Sequence, residues 1–184
     1  TLLVTVDDNN NGVGVTLNAK STLDAGVVTL SGDGTTNNDL IDLDGAVTAD
    51  TGAVVIQDAA TVDAEGTIQA ASSLTIEDIT TSVDLGANVG LTAQNGALSV
   101  YNNVANMNLS AAGTNVIQSD GDALVRVAQI TATGGVNPNL TVTSQGGVTF
   151  DGAVDINSGT LLVTVDDNNN GVGVTLNAKS TLDA

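Results

Sequence analysis

The opening stretch of the chain, TLLVTVDDNNNGVGVTLNAKSTLDA at positions 1–25, returns without a change at positions 160–184. Thr1 recurs as Thr160, and Gly159 is the last position before the copy begins. Self-similarity at a fixed period is the mark of repeat architectures, so any acceptable fold must let the same sequence recur along one chain. Positions 1–159 therefore read as one full unit, and 160–184 as the start of the next. No linker-like change of composition separates Ser158-Gly159 from Thr160. The chain opens at Thr1 with neither an initiator Met nor a signal-like run, and we expect it to be a window on a longer polymer.

Within the unit the apolar residues alternate with polar ones. The pattern appears as Leu2-Val4-Val6, Val13-Val15-Leu17, Val28-Leu30, Ile41-Leu43, Val54-Ile56, Leu74-Ile76, Val83-Leu85, Leu98-Val100, Met107-Leu109, Val125-Val127, Leu140-Val142, Val148-Phe150 and Val154-Ile156. Period-two alternation bounded by Gly, Asn, Asp and Ser reads as short strands. No stretch carries a sustained helical period.

Similar phrases recur: LLVTVD at 2–7, GVVTLSG at 26–32, GAVVIQD at 52–58, SSLTIED at 72–78, GALSVYN at 96–102, DALVRVAQ at 122–129, NLTVTSQG at 139–146 and LLVTVD at 161–166. Read as equivalent starts, they imply about seven rungs per unit at about 23 residues each, the length of one β-solenoid coil. The expected fold is all-β, a right-handed parallel β-helix continuous with its neighbours. At the inter-strand spacing of ~4.8 Å one unit would rise roughly 33 Å. Gly is expected at corners that need positive φ, and Asn in ladders between rungs.

Composition fits thin rungs. Hydrophobic residues make up 41% of the chain but aromatics only 1%, with Tyr101 and Phe150 the only two and no Trp. A sandwich or barrel core normally spends several large aromatics. The charge is −18, from 21 acidic residues against Lys20, Arg126 and Lys179. Such a field repels nucleic acid and anionic lipid, so neither is expected as a partner, and it keeps long particles apart. No apolar run reaches the ~18 residues of a membrane helix, so no membrane insertion is expected.

The phrases GAVVIQDAATVDAEGTIQAASSLTIED (52–78) and GALSVYNNVANMNLSAAG (96–113) resemble the β-helical repeats of filamentous-haemagglutinin-like adhesins and related large secreted bacterial surface proteins. The resemblance lies in the Gly-led strand, the alternation and the Ala/Asn/Asp/Ser turns at about 20-residue intervals. It implies export to the cell surface and a stalk or filament role. Such proteins carry divergent coils, whereas this unit recurs unchanged, which points to a shaft rather than an adhesive tip.

The chemistry available is narrow. With no His and no Cys, Ser-His-Asp and Cys-His catalysis are excluded. Paired carboxylates remain, and some β-helix enzymes cleave polysaccharides with Asp clusters. Asp42/Asp44 and Asp120/Asp122 are the pairs on offer, but only Tyr101 could stack on a sugar. No catalytic residue is assigned, and the chain is expected not to be an enzyme.

Calcium is the one cofactor weighed, because hard cations seek clustered oxygens. The candidates are Asp7 and Asp8 with their copies Asp166 and Asp167, then Asp33, Asp39, Asp42, Asp44, Asp120 and Asp122. None sits in an EF-hand or a calcium β-roll motif. Solvated turn acids are the simpler reading, unless acids stack on successive rungs. Arg126 is expected to face out from Leu124-Val125-Arg126-Val127 toward a carboxylate on a neighbouring rung.

The leading expectation is a structural tandem-repeat unit of a long extracellular filament. Its partners are further copies of the repeat, covalent or end to end, with neighbouring fibres or cell-surface glycans beyond them. Two alternatives stand against it. One is a calcium-stiffened multidomain β-sandwich adhesin, which requires antiparallel pairing. The other is a polysaccharide-active β-helix enzyme.

Overall fold

A computed structural model describes residues 1–6, 14–32, 39–121, 123–166, 173–177 and 182–183. Strands are the regular elements of these residues, and every strand pairing among them is parallel. The chain winds as a β-solenoid of about seven turns, each laying one strand on each of three faces. Parallel pairing throughout removes the antiparallel Greek-key sandwich.

The first face stacks Leu2–Thr5, Val28–Ser31, the start of Val54–Ala64, the start of Leu74–Leu85, Leu98–Val100, Val125–Val127, Val148–Phe150 and Val174–Leu176. The second stacks Val15–Leu17, Leu40–Leu43, the ends of the same two long strands, Met107–Leu109, Ile130–Ala132, Val154–Asp155 and Leu182–Asp183. The third stacks Thr22–Ala25, Ala46–Ala49, Ile68–Ala70, Gly90–Ala93, Thr114–Ser119, Asn139–Ser144 and Leu161–Val165. The turns are unequal in length. Followed through the first-face register partners, the step is shortest from Val54 to Leu74 and longest from Leu98 to Val125.

The core is a set of aliphatic columns. On the first face Val54, Leu74, Leu98, Val125 and Val148 form one and Ile56, Ile76, Val100, Val127 and Phe150 the next, all fully buried. The third face pairs a branched column (Val47, Ile68, Leu91, Ile117, Val142) with a small one (Ala49, Ala70, Ala93, Ser119, Ser144). Ser119 and Ser144 are buried where the earlier turns carry Ala, and their hydroxyls donate to the carbonyls of Gly96 and Ala123 at 2.9 and 2.8 Å. Period two explains all of this, because every second residue of a strand faces the same side.

Each alternating pair expected from the sequence lies in a strand or runs out of one at its end, apart from Val13, which is outside the described residues. The equivalence of the phrases needs correcting. Those starting at 2, 26, 52, 72, 96 and 122 fall on the first face, but 139–146 and 161–166 fall on the third. The identical segments therefore occupy different seats. Leu2–Thr5 lies on the first face and its copy within Leu161–Val165 on the third; Val15–Leu17 lies on the second and Val174–Leu176 on the first. Thr22–Ala25 lies on the third face, and Leu182–Asp183, the copy of Leu23-Asp24, on the second. All three copies sit one face back.

The corners meet the expectation in part: Gly134, Gly135 and Gly147 carry positive φ of 65°, 70° and 107°. Between the first and second faces the positive φ is carried by Asp58 (56°), Asp78 (54°) and Asn102 (60°), not by Gly. Asx residues tolerate this conformation because their short side chains bond locally. Most corner glycines are there for space: a Cβ on Gly66 would run into the Gly45 carbonyl, and one on Gly45 into that of Ser21. Among the described residues the Asn side chains form no ladder of amide on amide. Several instead accept from backbone N–H groups of the adjacent turn, as Asn88 Oδ1 does from Thr114 (3.0 Å), Asn115 Oδ1 from Val89 (2.8 Å) and Asn139 Oδ1 from Thr160 (3.0 Å).

Candidate functional site

Outward residues of a parallel stack also form columns, and these give each face its chemistry. The third face presents Asp24 on its first turn and then Thr48, Gln69, Thr92, Gln118, Thr143 and Thr164 in register. The second face presents Asp42, Asp63 and Asp84 on three successive turns, followed by Asn108, Thr131 and Asp155. Neighbouring turns lie ~4.8 Å apart, so the three carboxylates repel one another. Burial first, then the charges of Asp84, Glu65, Asp42 and Asp44, raise the Asp63 carboxyl above the usual value of 3.8. Burial and then Asp44 raise Asp42 in the same direction. The column ends where donors appear: Asp84 accepts from Ser82 Oγ at 3.0 Å and from Asn108 Nδ2 at 2.6 Å.

The candidates for calcium are scattered over this frame. Asp42 belongs to the second-face column, with Asp44 exposed at the corner just after it. Asp39 is buried just before the same strand, at 1% exposure, and is no solvent-facing ligand. Asp120 and Asp166 are exposed where third-face strands end, and their backbone N–H groups donate to the carbonyls of Ala93 and Ser144. Asp7, Asp8, Asp33, Asp122 and Asp167 lie outside the described residues, and with Asp122 goes the Asp120/Asp122 pair. Among the described residues no group of three or more His, Cys, Asp or Glu side chains converges as metal ligands. Stacked acids do occur, but the roles of Asp63 and Asp84 are not legible in the sequence. Both are far from Asp42 along the chain and meet it only through register, 42 to 63 to 84.

A second constellation lies on the first face. Arg126 faces out, as its strand predicts, and grips Asp151 of the next turn with Nε to Oδ2 at 2.6 Å and Nη2 to Oδ1 at 3.0 Å. Its guanidinium lies 3.6 Å above the centre of the Tyr101 ring on the turn before. Asn177 Nδ2 also donates to Asp151 Oδ1. The hydrogen bond from Arg126, assisted by Asn177, holds the Asp151 carboxyl below its ordinary range. A surface cavity of about 220 Å³ opens beside Tyr101, Val104, Ala128, Gln129 and Asp151. Asp151 is the one carboxylate in its lining, with both oxygens already engaged, so the cavity lacks the acid pair that glycoside hydrolysis needs.

No family model matches the chain, and comparison with curated proteins and with solved structures finds no match. The reading of function therefore rests on the geometry of the stack.

Proposed function

We propose that this chain is a structural tandem-repeat unit of a long extracellular filament, serving as its shaft. The observation that carries the reading is the seat of the second copy. Leu161–Val165 stacks on Asn139–Ser144 over five register pairs, and Leu140 N–H donates to the Thr160 carbonyl at 2.8 Å. The stack runs through Gly159-Thr160 without a change of fold, so a following unit has a template to build on. The role is mechanical and involves no catalytic step. Backbone hydrogen bonds between turns run along the axis, aliphatic columns exclude water from the interior, and a charge of −18 holds shafts apart. Placement outside the cell follows from the resemblance to secreted surface repeats.

Cryo-electron microscopy of the native material tests this. An axial repeat of ~4.8 Å with unbroken density across the duplicated segment is expected. Beads joined by flexible linkers would overturn it.

A further inference from the structure

The two seats of the duplicated segment set the symmetry of any longer array. From Leu2–Thr5 on the first face of the first turn to Leu161–Val165 on the third face of the seventh, the chain completes six turns and two further faces. The period, positions 1–159, is thus not a whole number of turns. Leu161–Val165, Val174–Leu176 and Leu182–Asp183 form the open upper edge, and they carry the sequences of Leu2–Val6, Val15–Leu17 and Leu23-Asp24. The latter already hold a second turn in register, with Val28–Ser31 on Leu2–Thr5 and Leu40–Leu43 above Val15–Leu17. The same sequence of the next unit fits the upper edge in the same way, displaced by one face.

Resting on the shaft reading above, we infer that each unit of the array is rotated by one face against the unit before it, so that the surface pattern returns to the same side only after three units. Three units span about 20 turns, or roughly 96 Å at ~4.8 Å per turn. The acidic column of Asp42, Asp63 and Asp84 then winds around the shaft rather than running as one seam. The Thr/Gln column of the third face is likewise interrupted every unit. A flat neutral face repeated without a break would let shafts zip together side by side, and rotation denies them that register. The surface is offered equally to all sides, so a partner recognising one face finds it on a given side once in three units.

Two experiments separate this inference from the reading it rests on. The chain has no cysteine, so spin labels can be placed at will. Labels on Thr141→Cys with Leu162→Cys, register partners on the third face, should show strong dipolar broadening. Labels on Thr149→Cys with Leu162→Cys should show little. Broadening of the second pair instead, or of neither, overturns the inference. The second experiment images a chain of three units by cryo-electron microscopy. A continuous solenoid turned by about a third of a revolution per unit, beyond the twist of the coil itself, is expected. A continuous solenoid with no such rotation overturns the inference and leaves the shaft standing, whereas separate beads overturn the shaft.

Discussion

Positions 1–25 and 160–184 are the same sequence in two different places. Val4 faces inward against Leu30 on the first face, while its copy Val163 faces inward against Val142 on the third. Thr16 pairs with Asp42 in the acidic column, but its copy Thr175 pairs with Thr149. The strands themselves survive the move because each face makes the same demand, alternate apolar residues facing in. What changes is the company of the outward side chains. A solenoid strand is thus specified in its inside and outside, and unspecified in its angular position.

The largest effects come from setting the two copies against the interior. Ile76 is fully buried with turns on both sides, and Ile76→Ala should cost about 2–5 kcal/mol in urea unfolding. Val4 and Val163 are partly buried and each has one neighbouring turn. Val4→Ala and Val163→Ala should each cost about 1 kcal/mol or less, and nearly the same amount. A large difference between them would mean that the two seats are not equivalent.

A glycine pair sharpens the contrast. A Cβ on Gly14 would overlap the Leu40 carbonyl of the turn above, while its copy Gly173 has open space around it. Gly14→Ala should destabilise by about 1–3 kcal/mol through forced separation of turns. Gly173→Ala should leave the melting temperature unchanged in this chain and become costly once another unit covers it.

The smallest effects separate the faces by charge. The folded value of Asp63 is raised, so between pH 3.8 and that value the native state keeps a proton the unfolded state has lost. Stability therefore falls as pH rises through this window and stays lower above it. Asp151 has the opposite sign: its stabilisation is present above 3.8 and is lost as pH falls through its lowered folded value. At pH 7, Asp63→Asn should stabilise by ~0.5 kcal/mol by removing a like-charge neighbour, and Asp151→Asn should destabilise by a similar amount. Thermal melts from about pH 2 to 7 check both, since the Asp151 window lies below 3.8 and the Asp63 window above it, and Asp63→Asn should flatten the upper part of the profile.

Much of the fold is legible because alternation is local. The pairs Leu98-Val100 and Val125-Val127 announce strands wherever they stack. Strands of the third face such as Ala46–Ala49 and Ile68–Ala70 are harder to see, since Ala fills the second inward position and the apolar contrast is weak. Arg126 can be placed outward from its strand alone, and a carboxylate partner on a neighbouring turn is foreseeable in kind though not by number. The acidic column is invisible in the sequence, because register depends on how many residues each corner consumes. That consumption varies: Val54 to Leu74 is the shortest step on the first face and Leu98 to Val125 the longest.

The sequence by itself determined that this chain repeats, that its strands are short and two-sided, that its core is aliphatic and that its surface is acidic. These are properties of each residue and its near neighbours. Only the tertiary structure decided which face each strand occupies, which carboxylates meet, and that the repeat closes two faces beyond a whole number of turns. Angular position is a running total over every strand and corner before it, so no local stretch contains it.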